Sequence, residues 1–155
     1  MAGEDLRGVM RRFPAGVAVV TVEVDGQRAG LTLGTLVSLS IDPPLVGFAI
    51  RKDAALHELL RRAERFGLSL LAAGQDGLAE HFARGVPPIA HWEGIELLEG
   101  EEPPLLAGAV GWLRGTVLAE HPAGSHSFFV GEIDSADAGP SEKPLAYVSQ
   151  AYVDL

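Results

Sequence analysis

Turn chemistry limits the folds open to this chain more than any motif does. Nineteen glycines and ten prolines punctuate 155 residues, so its apolar runs are short and the connections between them tight. Residues 16–24, GVAVVTVEV, carry the Val and Thr that suit a pleated surface. Asp25-Gly26 follows, a pair that accepts the positive φ angles of a two-residue hairpin. The return strand is expected to begin near Arg28.

The same reasoning predicts the other elements. Residues 4–12 read as a short helix stopped by Phe13-Pro14, since proline disfavours helical geometry in the residue before it. Over 30–40, Thr32, Gly34 and Ser38 fall on one parity and Leu31, Leu33 and Val37 mostly on the other, which predicts a strand with one apolar and one small, polar face. Asp42-Pro43-Pro44 ends it, and 45–50 forms a short buried strand. Asp53 is placed to cap a helix over 54–65, with Leu56, Leu59, Leu60 and Ala63 at helical spacing and Arg61, Arg62 and Arg65 on the other face. A strand at 66–71, a helix at 75–83, a loop-rich stretch over 85–104 holding His91-Trp92, and strands at 109–120, 126–133 and 145–148 complete the pattern. About seven strands and three short helices result. No regular series of crossover helices separates the strands, so a mainly antiparallel barrel is favoured over a doubly wound parallel sheet.

Composition excludes much else. A chain of this length suits a single domain over 1–155 that buries about 70% of its unfolded surface. A mean hydropathy of +0.19 comes with no apolar run near the ~20 residues a membrane span needs. The polar, acidic N-terminus lacks a secretory pattern, and a cytoplasmic location without membrane contact is expected. With no cysteine there is no disulfide, thiolate nucleophile or Cys-ligated metal. Twelve cationic side chains against 21 carboxylates give a net charge of -9, which argues against nucleic acid as a partner. The five histidines lack tight metal-ligand spacing, no metal site is expected, and signatures of dinucleotide-binding Rossmann folds, P-loops, zinc proteases and serine hydrolases are absent.

The segment 30–44, GLTLGTLVSLSIDPP, is the strongest local signal. Small residues let backbone N–H groups approach a planar ligand, and the hydroxyls of Thr32, Thr35, Ser38 and Ser40 suit its polar edge or a phosphate. Small polar residues also occur on the outer face of any half-buried strand, so the segment alone leaves both readings open.

Four ordered stretches separate them: RRFPAGVAVVTV at 11–22, GLTLGTLVSLSIDPPLV at 30–46, RFGLSLLAAGQDGLAEHFA at 65–83 and GSHSFFVGEI at 124–133. Together they resemble the flavin reductase-like family with the FMN-binding split-barrel fold. The resemblance implies a homodimeric, antiparallel Greek-key split β-barrel with a few short helices. It implies an enzyme that uses NADH or NADPH to reduce FMN or FAD, often for a partner flavin-dependent monooxygenase. Carried over by position, Thr32, Leu33, Gly34 and Thr35 would surround the flavin, with Ser38 and Ser40 nearby. Lys52 and His57 match the family's basic residue and helix-start histidine at the flavin phosphate. His126 matches the histidine on the nicotinamide side and is the catalytic candidate.

The chain also departs from that pattern. Hydroxyls usual after the basic residue are replaced in RKDAALH at 51–57, Asp53 adds a negative charge, Ser125 stands where an acid precedes the histidine, and the 147–152 stretch lacks the usual arginine. These departures keep a second reading open, a split-barrel flavin-binding carrier or sensor without reductase activity. A deazaflavin in place of flavin is a third.

Overall fold

The computed structural model describes residues 1–63, 65–84 and 92–155. A helix α1 (Ala2–Met10) leads into strands β1 (Ala15–Gly16), β2 (Ala18–Val24), β3 (Gln27–Leu33), β4 (Val37–Ser40) and β5 (Leu45–Arg51). Then come α2 (Ala55–Ala63), β6 (Arg65–Leu70), α3 (Asp76–Ala83) and the two long strands β7 (Gly111–Ala123) and β8 (His126–Ala138). Strands β9 (Leu145–Val148) and β10 (Ala151–Asp154) finish the chain. No described helix is long and apolar enough to cross a membrane.

Every named strand pair is antiparallel. Seven strands form one sheet in the order β3-β2-β6-β7-β8-β5-β4, and β1-β9-β10 form a second. The expected hairpin is present, with Asp25 at φ 51° and Gly26 at φ 78° joining Val24 to its partner Gln27. Described strands number ten rather than about seven, because β1, β4 and β10 are two to four residues long and too short for alternation to register.

One core lies on the inner face of the large sheet, where Phe48 packs edge-on to Phe66 at 5.4 Å and stacks on Phe129 at 6.1 Å. Leu56 and Leu60 of α2 enter this core. A second core gathers Val17, Val19, Leu71, Ala79, Phe82 and Leu106 around α3. Burying each Val, Leu or Phe side chain among these contributes about 1.5–3 kcal/mol, so both helices are fixed by packing rather than propensity.

Two expectations need correction, and a third lies partly outside the described residues. The strand over 30–40 is two strands: β3 stops at Leu33, and β4 begins at Val37, paired with the other side of the sheet. The alternation breaks across 34–36, so buried Leu33 and exposed Val37 and Leu39 do not share one apolar face. Asp53 does not cap α2; its carboxylate takes two hydrogen bonds from Arg51 at 3.0 and 3.2 Å, and the helix runs over Ala55–Ala63 rather than 54–65, with Arg65 opening β6 instead of lying on the helix's polar face. Of the loop-rich stretch, 85–91 with His91 lie outside the described residues, while Trp92 packs on Phe82 and donates to the Arg28 carbonyl.

Candidate active site

β3 and β4 are the two ends of the seven-stranded ladder, and only residues 34–36 separate them in the chain. Thr35 anchors that link. Its hydroxyl accepts from the Ala49 amide at 2.9 Å and donates to the Ala49 carbonyl at 3.1 Å, so a side chain continues the β4–β5 ladder beyond its last pair, Val37 with Gly47. Gly47 lies under the Phe128 ring, which leaves no room for a Cβ, and Leu39 flanks the same spot.

The link borders an open groove of about 790 Å³, mostly apolar, lined by Gly34, Thr35, Leu36 and Val37 together with Met10, Phe13 and Tyr147, and by the cationic Arg7 and Arg11. Gly34 is exposed, and a Cβ there would meet only Ala15 at 3.4 Å and Gly16 at 3.8 Å. The groove thus offers backbone and small side chains to a flat apolar ligand, the combination a planar cofactor ring requires. Leu33 points away, into the core. Thr32 donates its hydroxyl to the Ala79 carbonyl of α3 at 2.7 Å and lines a smaller pocket of about 240 Å³ with Gly34, Tyr147 and Tyr152. Ser38 and Ser40 lie on the edge strand β4, Ser38 exposed and Ser40 half-buried.

A second group forms where β5 ends and β8 begins. Arg51 and His126 face each other across the two strands, and the Lys52 amide donates to the Ser125 carbonyl at 2.9 Å. The Ser125 hydroxyl lies 2.9 Å from His126 Nδ1. Arg51 holds the Asp53 carboxyl below its usual range, with His126 adding a smaller pull in the same direction. Sequence position separates Lys52 from His126 by 74 residues; the β5–β8 register brings their backbones together. Ala49, Thr35's partner, is two residues before Arg51, so the two groups are successive stations along one strand.

His57 belongs to neither surface. Only 5% exposed, it places Nε2 2.8 Å from Ser127 Oγ and packs its ring edge-on to Phe129. Ser127 donates to Glu120 at 3.0 Å, and Glu120 takes two hydrogen bonds from Arg61 at 2.7 and 2.6 Å. Arg61 first, then Ser127 and the nearby His57, hold the Glu120 carboxyl down to about 2 against a smaller desolvation penalty. Sequence reading singled out His57 but not Glu120, Ser127 or the α1 and β9 residues of the groove. No local pattern marks them, because each gains its role from a partner on another element.

This architecture agrees with what known proteins share with the chain. The family profile for the flavin reductase like domain matches residues 10–155. The reductase component of 4-hydroxyphenylacetate 3-monooxygenase from Thermus thermophilus is 36% identical over 149 residues, covering 96% of this chain and 94% of its own. An NADH-dependent FAD reductase from Streptomyces globisporus is 37% identical over 92% of this chain and 80% of its own. The solved structure of the Streptomyces globisporus C-1027 NADH:FAD oxidoreductase SgcE6 superposes with a TM-score of 0.90 at 34% identity, covering 97% of this chain and 92% of that one. The chain belongs to the flavin reductase-like family.

Proposed function

We propose that this protein is an NAD(P)H-dependent flavin reductase supplying reduced FMN or FAD to a partner monooxygenase. The observation that carries the reading is the groove beside 34–37, where peptide backbone, a glycine and apolar side chains border a space of about 790 Å³ suited to a flat tricyclic ring. The residues present therefore fit a flavin. When bound, it accepts a hydride from the nicotinamide of NADH or NADPH and so provides the two-electron chemistry.

The chain's own work is binding and orientation. Peptide N–H groups of the 34–37 link supply donors for the polar edge of the ring, preorganised because Thr35 is tied at both ends of its hydroxyl. Those donors favour negative charge on the ring without any acid or base. Leu33 supports the link from the core, while Thr32, Ser38 and Ser40 flank it. Lys52 has no ion-pair partner among the described residues, whereas Arg51 is taken by Asp53, so of these two Lys52 is the one open to a flavin phosphate. His126, beside Arg51, orients the nicotinamide. His57 serves from behind, since its ring is buried.

The same reading takes the domain over 1–155 as one unit, the seven-stranded sheet as a split barrel closed through the 34–36 link, and the protein as a cytoplasmic homodimer. Supporting the dimer, Leu6, Val9, Met10 and Phe13 around α1 and Val37, Leu39 and Ile41 around β4 are all exposed apolar side chains. Relatives named as reductase components of 4-hydroxyphenylacetate and 4-nitrophenol monooxygenases support the partner class.

Anaerobic addition of NADH, then NADPH, to the protein with FMN or FAD tests the function. Loss of the flavin's visible band at a catalytic rate is expected. Binding of flavin without bleaching by either nucleotide would replace the reductase with a carrier.

A further inference from the structure

His126 begins β8, directly after the turn that contains Gly124 at φ 61°. A strand's first residue frays readily unless something fixes it. Its neighbour Ser127 is only 1% exposed and turned inward, since adjacent strand side chains point to opposite faces. The inward positions that follow are Phe129 and Gly131, both buried in the apolar core. A hydroxyl at this place is costly to bury unless bonded, and it is bonded twice, to His57 on α2 and to Glu120 on β7.

The direction of those bonds follows from the carboxylate. Glu120 is ionised, gripped by two Arg61 hydrogen bonds, and can only accept. The single Ser127 proton therefore goes to Glu120. His57 must then carry its proton on Nε2 and donate it to Ser127 Oγ. Three elements, α2, β7 and β8, meet at one oxygen. Leu56 and Leu60 already anchor α2 in the core, so the polar tie is not what attaches the helix. What it fixes is the end of β8, and through the backbone both His126 and the Ser125 carbonyl that holds Lys52.

We propose that Ser127, clamped between Glu120 and His57, is a positioning residue for His126, setting the imidazole against Arg51 and Lys52 for the nicotinamide step. The catalytic part rests on the reading of His126 given above.

A double-mutant cycle tests it: wild type, His126→Ala, Ser127→Ala and the double variant, with Glu120→Ala as a second variant, made at a partly exposed position. Ser127→Ala removes both bonds and is expected to raise KM for NAD(P)H, or lower kcat, by about 5–10-fold through the displaced His126. FMN affinity should hold within about two-fold, and Ser127→Thr, which keeps the hydroxyl, should restore activity. In the His126→Ala background the same change should cost less than about two-fold. Equal losses in both backgrounds, or a parallel loss of FMN affinity, would overturn the proposal. So would a His126→Ala variant as active as wild type.

An NMR measurement without cofactor separates this proposal from the proposed activity. The His57 imidazole should carry its proton on Nε2, and the His126 ring resonances should shift in both Ser127→Ala and Glu120→Ala. Unmoved His126 resonances would sink the clamp even in an active reductase. Moved resonances in a protein that reduces no flavin would leave the clamp standing and remove the reductase.

Discussion

The Thr35 hydroxyl holds both backbone groups of Ala49, accepting from the amide at 2.9 Å and donating to the carbonyl at 3.1 Å. A threonine side chain thereby fastens the link between the two end strands of the sheet to β5. Thr35→Val keeps the shape and removes both bonds. It should cost about 1–2 kcal/mol in urea unfolding, because the Ala49 groups remain partly open to water. Flavin affinity should fall by more than that stability loss implies, since the 34–37 backbone is released. Thr35→Ser should keep both properties, and a Val variant with unchanged flavin affinity would separate the link from the cofactor.

Gly34 is the second lever on the same segment. Its conformation does not demand glycine, and a Cβ would make only ordinary contacts with Ala15 and Gly16. Gly34→Val should therefore fold with a stability change below about 1 kcal/mol. The added branch projects into the space bordered by the link, so FMN binding should weaken by about ten-fold or more. Equilibrium titration against thermal unfolding distinguishes the two effects, and undiminished binding would move the ring elsewhere.

Stability in acid should depend on Glu120. Its folded carboxyl sits near 2, below the ordinary 4.5, with Arg61 the largest cause. A depressed carboxyl stabilises the fold fully above the unfolded value and loses that contribution as pH falls toward the folded value. Glu120→Gln should thus cost about 1 kcal/mol at neutral pH, limited because Arg61 is half-exposed to screening solvent. The gap between variant and wild type should close between about pH 4.5 and pH 2 in denaturant titrations. A gap that stays constant over that range would show that the ion pair contributes nothing to the pH dependence.

The dimer is tested through Leu39, 47% exposed beside Val37 and Ile41. Leu39→Glu places a charge on that apolar surface without touching the core. Light scattering should give twice the 16.3 kDa chain mass for wild type and a mixture or monomer for the variant. Flavin affinity should fall together with dimerisation if the site needs both subunits. A wild-type monomer that still binds flavin would remove the dimer and the shared site together.

Elements with local signals were legible in the sequence. Asp25-Gly26 announced its hairpin because positive φ is a property of two residues, and Leu56, Leu59 and Leu60 announced α2 by their spacing. The break at 34–36 was not legible, since Leu31, Leu33 and Val37 keep a strand-like alternation through a segment whose backbone leaves the sheet. Asp53 had the type and position of a helix cap, yet Arg51, two residues away, offers two charge-assisted bonds in competition. His57 was visible as a histidine but not as a buried one. Its partners Ser127 and Glu120 lie 70 and 63 residues further on, where only the β7–β8 hairpin brings them under α2.

The proposed role of His126 in the nicotinamide step is tested at His126 itself and at its neighbour Ser125. His126→Ala should raise KM for NAD(P)H or lower kcat by about ten-fold, while the FMN dissociation constant stays within a few-fold. The Ser125 hydroxyl, 2.9 Å from Nδ1, can either donate or accept, so it orients the ring without choosing its tautomer. Ser125→Ala should therefore cost less than His126→Ala, about two- to three-fold. Ser125→Asp is different in kind. An ionised carboxylate only accepts, which would put a proton on Nδ1 and leave Nε2 as the acceptor in the neutral ring. It would also add to the negative charge of Asp53, already close enough to feel His126. Imidazolium should then persist to higher pH, and the pH profile of kcat/KM for NAD(P)H should shift upward in this variant alone. Ser125→Asp with the wild-type profile would mean that the protonation state of His126 is irrelevant to hydride transfer, reducing its role to steric placement of the nicotinamide.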